Sequence, residues 1–168
     1  EKQAKIIIIS HIGRPKGIMV EKMSLKPISE KLSFLLNKEV FFNKTPINEI
    51  AISEINKIQN GSIMMLENIR FYKEEETNEI EFSKKLSSLG NIYINDAFSC
   101  SHRSHASVVG VTKHMPSYVG NLLDEELANL HRITEKPESP SITILGGSKI
   151  STKISVLKNL SVKMDSIV

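Results

Sequence analysis

Residues 5–17 read KIIIISHIGRPKG, an uninterrupted apolar run followed at once by a glycine-rich basic loop. The run Lys5–Ser10 does not alternate between apolar and polar residues, which indicates a strand buried on both faces, as in a parallel sheet. Gly13 and Gly17 would let the loop backbone pass close to a ligand. Four further short runs rich in Ile, Val or aromatic residues also predict strands: Val40–Phe42, Ile63–Leu66, Ile92–Ile94 and Ile142–Leu145.

Segments with apolar residues at helical spacing separate the first four of these strands. The three sets are Ile28, Leu32 and Leu35; Ala51, Ile55 and Ile58; and Phe82, Leu86 and Leu89. Ser24 is placed to cap the first helix, with Pro27 in its opening turn, and Gly61 and Gly90 are placed as left-handed helix stops. Because alternating strands and helices require crossover connections, the order predicts an α/β fold: a three-layer, doubly wound parallel sheet of the Rossmann-like type.

A second domain is expected to begin after residue 140. Leu123, Leu127 and Leu130 predict a helix that opens at Gly120 and closes near Thr134. A linker follows it, and then a strand, a Gly-Gly turn and a helix, which is one βα unit without its sheet. The expected organisation is therefore a domain over 1–119, an interdomain helix and linker over 120–140, and the truncated start of a second α/β domain over 141–168.

The composition excludes several classes of function. Lys and Arg total 22 against 19 Asp and Glu, only 5% of the 168 residues are aromatic, and Trp is absent, so no nucleic-acid surface is expected. The single Cys100 excludes an intrachain disulfide and a multi-cysteine zinc site, which favours a reducing, cytoplasmic environment. The longest apolar run, Ile6–Ile9, is too short to span a bilayer, so no membrane partner is expected.

Basic residues follow several of the predicted strands, at the edge where open α/β sheets bind their ligands. Arg14 follows the first strand, Arg70 the third and Arg103 the fourth, with His11 and His102 in the same loops. Since these loops share one edge of a parallel sheet, the side chains are expected to converge. Arginine donates paired hydrogen bonds to phosphate and carboxylate, and histidine adds a donor whose charge depends on its neighbours. The pattern predicts a site for a small, multiply charged anion.

Other titratable residues favour structural roles. His105 and His114 are expected to be structural, and His131 is expected at the surface. The run Lys73–Glu76 could imitate a metal site, but it is more typical of a solvated first helical turn, where carboxylates suit the helix dipole. No metal site is predicted.

The glycine turn of the second domain carries a weaker signal. In residues 144–153 a strand leads through Gly146 and Gly147 to a helix start with Lys149 and Lys153. The spacing does not match a Walker A loop. Free backbone amides at a helix start and two lysines on one helical face nevertheless predict a seat for polyphosphate.

Taken together, these loops resemble the phosphoglycerate kinase family over the entire chain. Residues 10–17 resemble the first substrate loop of that family, residues 66–72 the second, and residues 95–105 the third. Residues 145–153 are similar to the start of its nucleotide-binding domain. By this resemblance the chain lacks the first strand of the substrate domain and most of the nucleotide domain, so it is expected to be a fragment with little or no turnover.

The resemblance also implies a site. The expected substrate-binding residues are His11, Ile12, Gly13, Arg14, Arg70, His102 and Arg103, with Arg14 also catalytic. The expected residues for the nucleotide are Gly147, Ser148, Lys149 and Lys153, with Lys149 stabilising the phosphoryl group in flight.

The implied reaction is reversible phosphoryl transfer between 1,3-bisphosphoglycerate with ADP and 3-phosphoglycerate with ATP, in glycolysis. ATP or ADP with Mg²⁺ would be required, with the Mg²⁺ contacts outside this chain, and a cytoplasmic monomer is expected. Two alternatives stay open: a non-catalytic phosphoglycerate-binding or anion-binding module, and an unrelated doubly wound enzyme.

Overall fold

The computed structural model describes residues 3–135, 137–147 and 153–168. Its strands are β1 (Ile6–Ile8), β2 (Val40–Asn43), β3 (Ile63–Leu66), β4 (Tyr93–Asn95), β5 (Ser117–Val119), β6 (Ile142–Thr143) and β7 (Ser166–Ile167). Its α-helices are α1 (Lys26–Leu36), α2 (Glu49–Lys57), α3 (Lys73–Thr77), α4 (Ile80–Ser87), α5 (Asn121–Glu135) and α6 (Ile154–Leu160). Short 3-10 helices span Glu21–Met23, Ile69–Phe71, Phe98–Cys100 and Val111–Lys113, and a π-helix spans Ala106–Gly110.

The central sheet has three parallel strands in the order β1-β3-β2. Met64 of β3 pairs with Ile7 on one side and with Phe41 on the other. All four residues of β3 are buried, as expected for an apolar run in the middle of a parallel sheet. The predicted α/β class with a parallel sheet is confirmed.

Side chains of β3 alternate between two apolar clusters, one on each face of the sheet. The first cluster joins β3 to α2 and α4 and includes Met64, Leu66, Ile55, Phe82 and Leu86. The second joins β3 to β2 and the start of α1 and includes Ile63, Met65, Val40 and Leu25, with Leu32 packed against it. Helices therefore cover both faces, which is the three-layer arrangement that the sequence predicts.

Strand β4 differs from the expectation. It lies outside the three-stranded sheet and pairs with β5, with Tyr93 N donating to Pro116 O at 2.9 Å. Apolar periodicity identifies a strand without identifying its neighbour, and β5 itself carries no clear strand signal. The predicted strand Ile142–Leu145 shortens to the two residues of β6, which pairs in parallel with β7.

The observed helix ends differ from the predicted caps and stops. Helix α1 begins one residue later than a Ser24 cap requires, although Ser24 Oγ still accepts from Lys26 N at 3.2 Å. Gly61 has a left-handed φ of 82° but lies beyond the end of α2. Gly90 is not in the left-handed region, so the predicted role of Gly90 as a left-handed helix stop is wrong. The left-handed caps are asparagines instead: Asn37 ends α1 and Asn78 ends α3.

The chain divides into two compact units. One comprises residues 1–95 and 99–118, and the other comprises residues 96–98 and 119–168. Helix α5 of the second unit matches the helix predicted from Gly120 to Thr134. Among the described residues, none of the helices combines the length and the apolar character that crossing a bilayer demands.

Candidate functional site

The loop after β1 packs closely against the rest of the first unit. Gly13 has a φ of 68°, and a Cβ there would lie 2.8 Å from Met23 Sδ. Gly17 has a φ of 73°, and its N–H donates to Arg70 O at 3.1 Å. A side chain at either position would be strained by its backbone and crowded by its neighbours. The two glycines therefore allow close packing of the loop on the protein, where the sequence suggested room for a ligand.

Glu67, at the carboxyl end of β3, fastens the entry to α1. Its Oε1 accepts from Leu25 N and from Asn68 N, both at 2.8 Å, and its Oε2 accepts from Ser24 Oγ at 2.7 Å. The residue is 8% exposed, so these hydrogen bonds satisfy a carboxylate that water barely reaches.

Asn68 fastens the first loop at two points. Its Nδ2 donates to Ile12 O at 2.9 Å and to Met23 O at 3.0 Å, and its Oδ1 accepts from Arg70 N at 3.1 Å. The side chain is fully buried. Because every polar atom of this amide is used, Asn68 fixes the position of the first loop relative to the start of the second.

Arg70 lies at the centre of the site, with a side chain that is 4% exposed. Its Nη1 donates to Gly13 O at 2.9 Å, and its Nε lies 3.9 Å from Glu76 Oε1. Its Nη2 is buried and has no hydrogen-bond partner among the described residues. A buried guanidinium with an unused donor is costly, and an anion would satisfy it.

Charges from three loops meet around this guanidinium. Burial, and then the charge of Arg103, lowers the pKa of Arg70. Burial also lowers the pKa of His11, followed by the charges of Arg70, Arg103 and His105. Three predicted substrate residues, from the first, second and third loops, are thus within electrostatic reach of one another, and they repel.

Other predicted residues lie at the margin of this cluster or outside it. Arg14, Ile12 and His102 are exposed. The carbonyl oxygen of Gly13 accepts a hydrogen bond from Arg70. Ser148 and Lys149 lie outside the described residues.

The second unit has an exposed glycine turn near a lysine. Lys153 Nζ donates to Gly146 O, and Gly147 has a φ of 123°. A Cβ at Gly146 would meet nothing within 4 Å. A cation held over an exposed turn can receive an anionic group, although this turn is far more open than the cluster of the first unit.

Sequence reasoning missed the side chains that hold the cluster together. Glu67 and Asn68 stand in the strand-end motif, yet only the cations of that motif suggested a role. The expectation that the run Lys73–Glu76 is a solvated helical turn is wrong for Glu75, which is 2% exposed in α3 and forms hydrogen bonds with Ser107. Helical periodicity over five residues is too short to reveal which carboxylate faces inward.

No group of three or more His, Cys, Asp or Glu side chains in the described part of the chain could hold a metal ion. The arrangement suits an anion better than a metal ion, because Arg103 and His11 lie within electrostatic reach of Arg70 and one guanidinium donor of Arg70 is unused.

Comparison with known proteins identifies the fold. The phosphoglycerate kinase family model matches residues 1–168. The chain belongs to the phosphoglycerate kinase family. Among curated relatives, the phosphoglycerate kinase of Coprothermobacter proteolyticus is 46% identical over 168 residues, which cover 100% of this chain and 43% of that protein. The phosphoglycerate kinase of Dictyoglomus turgidum is 47% identical over 165 residues, covering 98% of this chain and 41% of that protein.

Solved structures agree. Phosphoglycerate kinase from Coxiella burnetii superimposes with a TM-score of 0.84 at 36% identity, covering 98% of this chain and 41% of that one. Phosphoglycerate kinase from Pyrococcus horikoshii OT3 also gives a TM-score of 0.84, at 31% identity. The chain spans a little over two-fifths of the length of the phosphoglycerate kinases it matches.

Proposed function

We propose that this chain carries the acid-binding half of a phosphoglycerate kinase. His11, Arg70 and Arg103 would hold 3-phosphoglycerate or 1,3-bisphosphoglycerate, with Arg14 and His102 contributing from the exposed margin of the cluster. The reaction would be reversible transfer of a phosphoryl group between 1,3-bisphosphoglycerate and ADP. A glycolytic role in the cytoplasm, as a monomer, belongs to the same proposal.

The crowding of cations around Arg70 is the observation that carries the proposal. Burial, and then the charges of Arg70 and Arg103, lower the pKa of His11, and burial, and then the charge of Arg103, lowers the pKa of Arg70. One donor of Arg70 is also unused. Glu76 compensates part of this charge, but the buried Nη2 of Arg70 still lacks an acceptor. A molecule that bears a carboxylate and a phosphate would supply negative charge and the missing acceptor.

The chemistry suits residues of this type. Phosphoryl transfer needs little covalent participation from the protein, because positioning and neutralisation of charge on the transferring group supply most of the rate. Arg70 and Arg103 would orient the acid, and Arg14 would approach the group in transfer. Ser148, Gly147 and Lys153 would face the nucleotide phosphates.

Lys149 would stabilise the phosphoryl group in flight, as the family resemblance implies. ATP or ADP with Mg²⁺ belongs to the same proposal.

Calorimetric titration of the 168-residue chain with 3-phosphoglycerate tests the proposal. We expect saturable binding that weakens as salt is added, since charged groups form the site. Arg70→Ala should weaken binding by about 10-fold to 100-fold, the usual loss for a charge-assisted hydrogen bond. Arg132→Ala, which removes an exposed arginine of α5, is the matched control and should leave the Kd unchanged. An unchanged Kd in Arg70→Ala would refute the assignment.

A non-catalytic anion-binding module is the second candidate. It is favoured by the location of His11, Arg70 and Arg103 within one compact unit. Titration with ATP and a coupled assay of turnover separate the two. Binding of the acid without binding of ATP favours the module, whereas binding of both with measurable turnover favours the enzyme.

A further inference from the structure

A buried carboxylate lies just outside the cation cluster. Glu75 Oε1 accepts from Ser107 Oγ at 2.6 Å, and Glu75 Oε2 accepts from Ser107 N at 2.9 Å. His105 Nδ1 lies 3.6 Å from the same Oε1. Both oxygens of the carboxylate are therefore committed to the segment that follows Arg103.

Burying this carboxylate is costly. Burial raises the pKa of Glu75, and the hydrogen bonds from Ser107, followed by the charge of His105, lower it in part. The two neighbouring side chains, Glu74 and Glu76, are exposed. A carboxylate that only had to suit the helix dipole could stay in water as they do, so its inward position calls for another explanation.

The connection made by Glu75 explains it. Glu75 lies five residues after Arg70, and His105 and Ser107 lie two and four residues after Arg103. The carboxylate thus ties the segment that carries Arg70 to the segment that carries Arg103. The carboxylate accepts both hydrogen bonds, and one of the donors is a backbone N–H, so Glu75 restrains the backbone at Ser107.

Two further contacts hold the same turn. Tyr93 Oη donates to Ser107 O at 2.7 Å, and Asn78 Nδ2 donates to Ser104 Oγ at 3.4 Å. The π-helix Ala106–Gly110 begins at this point, and His105 O accepts from the backbone N–H groups of Val108 and Val109. The carboxylate of Glu75 therefore fastens the first turn of a helix whose preceding loop reaches into the site.

We propose that Glu75 is a positioning residue of the anion site: its carboxylate, bonded to Ser107 and facing His105, fixes the third loop so that Arg103 meets the same anion as Arg70 and His11. This inference rests on the proposed function for the identity of the anion. The fastening of the loop itself does not depend on any ligand.

The test compares three variants of the 168-residue chain. Glu75→Gln keeps the size of the side chain but removes its charge and one acceptor, and Ser107→Ala removes one donor to it. Glu79→Gln is the matched control, because Glu79 also accepts two hydrogen bonds, but from the backbone N–H groups of Glu81 at 2.9 Å and Phe82 at 2.6 Å, and it caps α4. Each variant is titrated with 3-phosphoglycerate at a temperature where circular dichroism shows it folded, and amide hydrogen exchange is recorded for residues 101–107.

We expect Glu75→Gln to weaken the Kd roughly tenfold, as misplacement of a binding group does, and to speed exchange in residues 101–107. Ser107→Ala should produce a smaller change in the same direction, and it replaces Glu75→Gln if that variant does not fold. Glu79→Gln should lower Tm while leaving both readouts unchanged. If Glu75 were purely structural, Glu75→Gln would behave like the control, with a lower Tm but an unchanged Kd and unchanged exchange. That result would overturn the inference.

Failure of the proposed function would look different. If the unaltered chain does not bind 3-phosphoglycerate, the proposed function fails, and hydrogen exchange alone decides whether Glu75 fixes the loop. Unchanged exchange in residues 101–107 of both Glu75→Gln and Ser107→Ala would overturn the positioning role.

Discussion

The two compact units hold their chemical groups in opposite ways. In the unit of residues 1–95 and 99–118, Arg70 is 3% exposed and Asn68 is fully buried, and hydrogen bonds from both side chains tie the second loop to the first. In the unit that contains residues 119–168, the glycine turn is exposed, and Ile144 and Val162 are 81% and 82% exposed. Its paired strands, β6 and β7, have two residues each.

The difference shows where this chain has a preorganised site. Buried polar groups cost stability unless all their hydrogen bonds are made, and once made they fix one geometry. The loops around Arg70 meet that condition except at Arg70 Nη2 and at Asn78 Oδ1, which are buried without a partner among the described residues. The turn at Gly146 is exposed, and a Cβ there would meet no atom of the described residues within 4 Å. Acid binding is accordingly the function to test first.

The largest effect should come from the apolar core of the first unit. Phe82 is 5% exposed and its ring centroid lies 5.0 Å from that of Tyr72, so Phe82→Ala should cost about 4 kcal/mol. Val162→Ala, at an exposed position of the other unit, should change stability by less than about 0.5 kcal/mol. Native-state hydrogen exchange reports each unit separately. Equal losses for the two variants would abolish the contrast between the units.

The next effect sharpens the contrast between buried and exposed hydrogen bonds. Asn68→Ala should cost about 3 kcal/mol, because it leaves buried partners in the first and second loops unsatisfied. Asp165→Ala removes hydrogen bonds to Ser141 N and Oγ, at 2.7 and 3.0 Å, and should cost much less because water replaces them. Urea unfolding monitored by hydrogen exchange gives both values. A similar loss in both variants would show that burial is not the deciding difference.

A pH-dependent effect should accompany anion binding. Burial, and then the charges of Arg70 and Arg103, lower the pKa of His11, so the free imidazole takes up a proton less readily than an ordinary histidine. A bound anion offsets those charges, which raises the pKa and favours the protonated form, so binding should take up protons. Titrations in two buffers of different ionisation enthalpy measure this uptake.

His11→Asn serves as the control for proton uptake, because asparagine does not titrate in this range. The variant should bind with less uptake than the unaltered chain. Proton release on binding, or the same uptake in His11→Asn, would contradict the placement of His11 beside the anion.

The smallest effect is expected at an exposed ion pair of the second unit. Lys163 Nζ lies 3.1 Å from Glu135 Oε1, with 35% and 54% of the two side chains exposed. Lys163→Ala should cost less than about 0.5 kcal/mol, because water and salt screen such pairs. A double-mutant cycle with Glu135→Ala isolates the pair, and a coupling above about 1 kcal/mol would show that this unit is more tightly held than we infer.

The sequence predicts much of this fold because its strongest signals are local. The apolar run Ile63–Leu66 has no alternation, and β3 is buried on both faces. Strand β4 shows the limit, since a short apolar run indicates a strand but not the neighbour that supplies its hydrogen bonds. Helix ends at Asn37 and Asn78 were missed because glycine gives the clearer signal for a left-handed residue.

In the candidate site, too, local features can be predicted from the sequence and long-range contacts cannot. Arg14 and Arg70 can be expected at one edge because they follow β1 and β3, which are neighbours in the parallel sheet. Arg103 follows β4, which lies outside that sheet, so its approach to Arg70 depends on contacts that the strand order does not predict. The role of Glu75 depends on a contact 32 residues away, with Ser107, and no local spacing encodes it. Exposure is equally hidden in the sequence: Arg14 and Arg70 follow their strands alike, but only Arg70 is buried.

A crystal structure of this chain grown with 3-phosphoglycerate tests the central claim most directly. The account predicts the acid within hydrogen-bond distance of Arg70 and Arg103, with the imidazole of His11 beside it and the free nitrogen of Arg70 engaged. The acid bound elsewhere, with Arg70 and Arg103 not contacting it, would contradict the account.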